Sequence, residues 1–267
     1  MTVLESTPRL LEALQGEMTP KFLATRSADG VPNIVPCVSL LPDLEKSDLV
    51  FFGNFLLRKS IKNLEGDPRV AILVITEQLN GWILKGKFLE FQSSGAYVDR
   101  QKSGTLLRYN AYTGVRNAGL IRVESLVGSF QISKLQVALA YFKAWLTSLS
   151  NDRSHAIETT RIPQPVQKEF ARMIAVKVLA WIDQDEYPMA VPALSLQPKD
   201  NQHMLGYFNL PNLPLPPTNA TVATNILTFE AISYQMKGIW QKFGRTGVVH
   251  IQEIYAGGPP YPGGRVA

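Results

Sequence analysis

The chain has little of what usually announces a chemistry. It holds one cysteine, Cys37, which excludes an internal disulfide framework and leads us to expect a reducing compartment. The three histidines, His155, His203 and His250, stand at no metal-ligand spacing and are expected to be surface or satisfied interior residues. CxxC, HExxH, GxSxG and a GxGxxG after a strand are all missing, so neither a metal centre nor a Ser/His/Asp mechanism has support. No stretch approaches the roughly 18 consecutive apolar residues of a membrane span. The opening MTVLESTPRLLEALQGEM lacks a basic region followed by an apolar run, so no signal peptide is expected and a cytoplasmic protein without a membrane partner is. The formal charge of +5 suits an anionic ligand such as a phosphate. With no Lys/Arg-rich run and no groove-entering motif, it does not suggest nucleic acid.

What the chain does have is a repeat of itself. Residues 22–42, FLATRSADGVPNIVPCVSLLP, align without a gap on residues 178–198, VLAWIDQDEYPMAVPALSLQP. The matches are Leu23/Leu179, Ala24/Ala180, Asp29/Asp185, Pro32/Pro188, Val35/Val191, Pro36/Pro192, Ser39/Ser195, Leu40/Leu196 and Pro42/Pro198. Average composition would give roughly one or two in such a window. KGKFLEF (85–91) is echoed by KGIWQKF (237–243), and GLIRVESLVG (119–128) by GVVHIQEIYAG (247–257), in the same order. A period this long is domain duplication, because solenoid repeats run about 20–50 residues. A chain with two copies of one small fold can build internally the interface that single-copy relatives build by dimerising.

The patterns predict a short helix over 6–16 with Thr7 as its cap, then strands at 21–27 and 31–41 around an ADG turn. Pro32 and Pro36 mark the second strand as an edge, or as facing a ligand. A strand at 49–54, a helix at 56–67 and strands at 69–76 and 82–93 complete a β-β-β-α-β-β order that suits a small antiparallel barrel. A long strand is expected at 119–132, an amphipathic helix at 132–149 and another helix near 163–172. The second copy begins near 174. Four prolines between 209 and 221 exclude a helix where the first copy has one.

Arg58 and Lys59 fall in the first turn of the helix at 56–67. A helix N-terminus offers free N–H groups and a partial positive charge, so cations there are costly unless an anion is bound. A phosphate would be gripped by the N–H groups, an Arg fork and a Lys point charge together. A solvated basic pair is an equally good reading from physics alone.

Four motifs in order now become specific: SADGVPNIVP, FFGN, LLRKSIKNLEGDPRVAI and WILKGKFLEF. The run from 21 to 93 resembles the FMN-binding split barrel of the pyridoxamine 5′-phosphate oxidase-like superfamily. The resemblance implies a mainly β fold with flanking helices, in two six-stranded antiparallel Greek-key copies, the N-terminal one functional and the C-terminal one degenerate. The expected segments are 1–131 (FMN-binding barrel), 132–173 (helical connection) and 174–267 (degenerate barrel). It implies FMN as cofactor, with the phosphate on Arg58 and Lys59 and the ring along the backbone of Pro36, Cys37 and Val38. The ribityl chain would lie near Phe52, Gly53 and Asn54, with Trp82 among the cofactor's neighbours. Arg245, Trp181 and Trp240 are candidates for the far wall.

Val35, Leu40 and Gly81 stand where the true oxidase has Arg, Lys and Gln, so pyridoxamine phosphate oxidase activity is not expected. The resemblance implies an FMN-dependent oxidoreductase with no catalytic side chain assigned and a nicotinamide or deazaflavin as possible hydride donor. A flavin- or haem-binding sensor without turnover, and a purely structural pseudodimer, remain alternatives. The chain would be a monomeric pseudodimer or a homodimer.

Overall fold

The computed structural model describes residues 2–55, 57–104, 114–148, 157–208, 213–257 and 263–267. Helix α1 (Pro8–Gln15) precedes β1 (Lys21–Arg26), β2 (Pro32–Pro36), β3 (Leu41–Pro42) and β4 (Leu49–Gly53). Then come α2 (Arg58–Gly66), β5 (Arg69–Ile75), β6 (Asn80–Gln92), α3 (Ala96–Ser103) and β7 (Ala118–Gln131). Helices α4 (Lys134–Ser148) and α5 (Gln164–Phe170) lead to β8 (Val176–Ile182), β9 (Pro188–Pro192), β10 (Gln197–Pro198) and β11 (His203–Tyr207). The chain continues through β12 (Thr221–Leu227), β13 (Ser233–Phe243) and β14 (Thr246–Ala256). No described helix is long and apolar enough to cross a membrane.

Each copy is one antiparallel sheet of seven strands, the seventh in each being a two-residue edge (β3, β10) beyond the six expected. The first runs β2-β1-β5-β6-β7-β4-β3 and the second β9-β8-β12-β13-β14-β11-β10, which is the same order strand for strand. The registers agree as well. Phe22 pairs with Pro36 as Val178 pairs with Pro192. Ala71 pairs with Lys85 as Ala223 pairs with Lys237. All three sequence echoes are therefore equivalent rungs of two like ladders.

Both sheets break at the same point, a bulge between Lys85 and Gly86 and another between Lys237 and Gly238. There the backbones close up so far that a Cβ on Gly86 would lie 2.3 Å from the Arg122 carbonyl oxygen. One on Gly238 would lie 1.9 Å from that of His250. Only glycine fits.

Pro32 and Pro36 do mark an edge strand, but the second copy covers it: Asn225 Nδ2 and Gln235 Nε2 donate to the Ile34 carbonyl at 3.2 and 2.6 Å. The second strand is shorter than the pattern predicts. It stops at Pro36, and a turn closed by Leu40 N–H to the Cys37 carbonyl takes Cys37 and Val38 off the ladder. Thr7 stands at the N-cap of α1, yet its side chain makes no capping bond. The described part of 209–221 carries no helix, in keeping with its prolines. The larger apolar core is shared by the sheets, since Phe22, Ile34, Leu73 and Ile83 of the first pack with Trp181, Val191, Met236 and Trp240 of the second. Trp181 and Trp240 are thus interior residues, and Arg245 lies on an exposed turn.

Candidate functional site

Arg58 and Lys59 open α2. Leu57 at the N-cap supplies no side-chain acceptor and the first turn has no acid, so no side chain among the described residues caps the turn's N–H groups. The helix is fixed to the edge hairpin by polar contacts. Asn63 Nδ2 donates to Thr25 Oγ1 at 3.0 Å and Asn33 Nδ2 to Ser60 Oγ at 3.0 Å. Asn33 Oδ1 is buried and accepts no hydrogen bond among the described residues.

Lys59 reaches across to the second copy. Its Nζ lies 2.9 Å from the centroid of the Tyr255 ring, and the Tyr255 hydroxyl donates to Glu253 at 2.7 Å. Glu253 is the ladder partner of Lys237, and Tyr255 is bridged by Arg265 of the C-terminal residues 263–267, which fold back along β14. Lys237 is only 9% exposed, and Glu253 is the carboxylate that acts on it. Burial, and next the neighbouring Lys237, push the Lys59 ammonium down to about 8. Lys59, Lys237 and Arg265 against the single carboxylate of Glu253 leave a positive recess at the start of α2, to which both copies contribute.

The opposite junction carries the same positions with the charge already spent. Lys85, the counterpart of Lys237, donates to Asp183 and Asp185 in the β8–β9 turn at 3.1 and 2.6 Å. Arg69 is shared between Asp67 and Glu186 at 2.8 Å each. This junction ties the copies together and holds no free cation on these strands.

The remaining residues expected beside a cofactor fall into two groups. Cys37, Phe52 and Trp82 turn their side chains into the first copy's core. Burial pushes the Cys37 thiol up to about 12, so it is no nucleophile. Val38 is exposed and Pro36 half-buried, while Ser39 Oγ clamps Gly53 by accepting from its N–H at 3.2 Å and donating to its carbonyl at 3.3 Å. Asn54 Nδ2 donates to Asn117 Oδ1 at 3.0 Å. In the second copy Ser195 Oγ makes the same clamp on Tyr207. Tyr207 and Phe208 stand where the first copy has Gly53 and Asn54, and α4 roofs what is left, a cleft of about 90 Å³ lined by Pro192, Leu194 and Ser195. In the second copy large side chains and a helix occupy the corresponding space.

One grouping escaped the sequence reading. His203 and His250, expected only to be surface or satisfied interior residues, are cross-strand partners with rings 4.7 Å apart. His203 Nδ1 faces Asp200 at 2.8 Å and His250 Nε2 faces Gln241 at 2.9 Å. Burial, with His203 next to it, pushes His250 down to about 4, so it stays neutral. No group of metal-ligand side chains is found among the described residues. His155 lies outside them.

No family model matches the chain. A curated uncharacterized protein of Methanocaldococcus jannaschii is 30% identical over 98 residues, 36% of this chain; the match spans 63% of that relative's length. Among solved structures, an FMN-binding protein from Syntrophomonas wolfei is 16% identical with a TM-score of 0.39, over 49% of this chain and 88% of its own. HutZ, the haem storage protein from Vibrio cholerae, is 19% identical with a TM-score of 0.35, over 46% of this chain and 92% of its own. The chain's own two sheets share one strand order and register: in fold it is two like antiparallel sheets in tandem.

Proposed function

We propose that the chain is a flavoprotein of the pyridoxamine 5′-phosphate oxidase-like superfamily that binds one FMN between its two copies. The observation that carries this reading is the recess at the start of α2. An uncapped helix N-terminus, Arg58, Lys59 and the buried Lys237 together suit a phosphate dianion better than they suit water. Arg58 and the α2 N–H groups would hold two phosphate oxygens, and Lys59 with Lys237 would neutralise the charge. Tyr255 and Arg265 would stand at the far rim. The exposed backbone at Val38 and the clamped Gly53 would border the rest of the cofactor.

When bound, FMN supplies two-electron hydride chemistry by itself, and the protein supplies position and field. This accounts for a site that has cations and backbone but no acid–base pair. The substrate side is an oxidoreduction with a nicotinamide or deazaflavin as donor. A haem-binding reading is less well supported, because the one cysteine, Cys37, is held as a buried thiol.

Titration of the apo-protein with FMN, followed by flavin fluorescence, tests the proposal. The wild type is expected to bind, and Arg58→Ala/Lys59→Ala to bind about a hundredfold or more weakly, from two charge-assisted contacts at roughly 1.5–3 kcal/mol each. A wild type that leaves FMN free in solution sinks the reading, and a Soret band on adding haem would replace it.

A further inference from the structure

Helix α4 is apolar on two faces. Val137, Tyr141 and Ala144 are buried against the second sheet and its flanking loops. Leu135, Leu139, Phe142, Trp145 and Leu146 point the other way and are 69, 48, 54, 52 and 47% exposed. The sequence pattern predicts an amphipathic helix here; the outer side instead carries an apolar stripe flanked by Lys134, Gln136, Lys143 and Thr147. A surface helix of a stable monomer carries polar residues outside, and a contiguous patch of this kind marks an interaction surface.

We propose that this face pairs with the same face of a second copy of the chain, across a two-fold axis. Leu135, Leu139, Phe142 and Leu146 follow the four-three-four spacing of a helix-pair seam. They are also symmetric about the point midway between Ala140 and Tyr141. An antiparallel pair therefore sets Leu135 of one chain against Leu146 of the other, and Leu139 against Phe142, at both ends at once. This is the self-complementarity that an isologous interface requires.

Charge agrees with the antiparallel sense. Lys134 sits in the first turn of α4, where its own helix dipole disfavours it, and the last turn holds no basic residue. Antiparallel pairing brings each Lys134 to the partially negative end of the other helix. Phe142 and Trp145 are already stacked, with ring centroids 5.9 Å apart, so less side-chain freedom is lost on pairing. Half-exposed aromatic and leucine side chains offer on the order of 100 Å² each. Five of them give about 1,000 Å² for the pair, the lower bound for a specific interface.

Sedimentation equilibrium of the full chain is expected to show a concentration-dependent dimer, and Phe142→Glu to weaken it about a hundredfold or more, as truncating a central anchor does. A second variant guards against a folding defect. In Leu135→Cys/Leu146→Cys the two thiols lie about 16 Å apart along one helix, too far to bridge within a chain. Mild oxidation should therefore give a covalent dimer on a denaturing gel. A wild type that stays monomeric, together with a double-cysteine variant that gives no covalent dimer, overturns the proposal. So does a monomer that instead sediments with anionic lipid vesicles, which would make the stripe a membrane-facing surface.

Discussion

At the scale of single residues the two copies keep one unusual position in common. Lys21 and Lys177 are equivalent, and both are fully buried. Lys21 solves the problem with backbone: its ammonium donates to the carbonyls of Gly16 at 2.8 Å and Val38 at 3.3 Å. Lys177 has only the Tyr141 hydroxyl, and burial pushes it down to about 7. Its pKa is lower folded than unfolded, so the unfolded chain binds the extra proton between about 7 and 10.5. Stability from this group is therefore present at alkaline pH and lost as pH falls through that window. Lys177→Met should raise the melting temperature at pH 7, by an amount equivalent to about 1–3 kcal/mol, and flatten the pH dependence above neutrality. Tyr141 keeps a bond to the Arg172 carbonyl at 3.2 Å, so no hydroxyl is orphaned. A variant that melts below the wild type at pH 7 would show that Lys177 contributes a native bond. Nothing in the sequence marks Lys177 as buried; a lysine opening a strand reads as an edge charge, and only the helix folded over it removes the water. Arg58 and Lys59 were legible because their chemistry and their helix are local. Lys237, Tyr255 and Arg265 were not, since they join the recess only when the copies dock.

At the scale of elements, strands and helices were legible because hydrophobic period and turn residues act locally. The misreadings share a cause in tertiary contact. The strand at 31–41 ends early because Leu40 N–H closes a turn on the Cys37 carbonyl. The helix at 132–149 shows one stripe to a scan of its sequence, but folding uses one apolar face and exposes another. The paired bulges are an element-scale device with a sharp test. Gly238→Ala puts a methyl group against the His250 carbonyl and should cost several kcal/mol, roughly the upper range of single substitutions. Thermal melting would register it. A near-neutral result would mean that β13 can shift past the bulge. Gly244, on an open turn with positive φ and nothing near its Cβ position, is the control: alanine there meets only backbone strain of about 1 kcal/mol.

At the scale of the molecule, the copies share a core, and a polar tie runs from Arg26, Arg69 and Lys85 to the β8–β9 turn. We expect them to unfold together. Calorimetry should give one transition with equal calorimetric and van't Hoff enthalpies; two separable transitions would mean that each sheet stands alone. The tandem organisation was readable from the echoes. Which junction keeps free charge was not, because that depends on an acidic turn from one copy meeting cations of the other. The difference between Lys85 and Lys237 has a further meaning. In a dimer of identical chains every substitution is made twice, so a change that fastens one junction also fills the other. Fusion lifts that constraint. One lysine has become a rivet while its twin makes no ion pair among the described residues, a difference that two identical halves could never adopt.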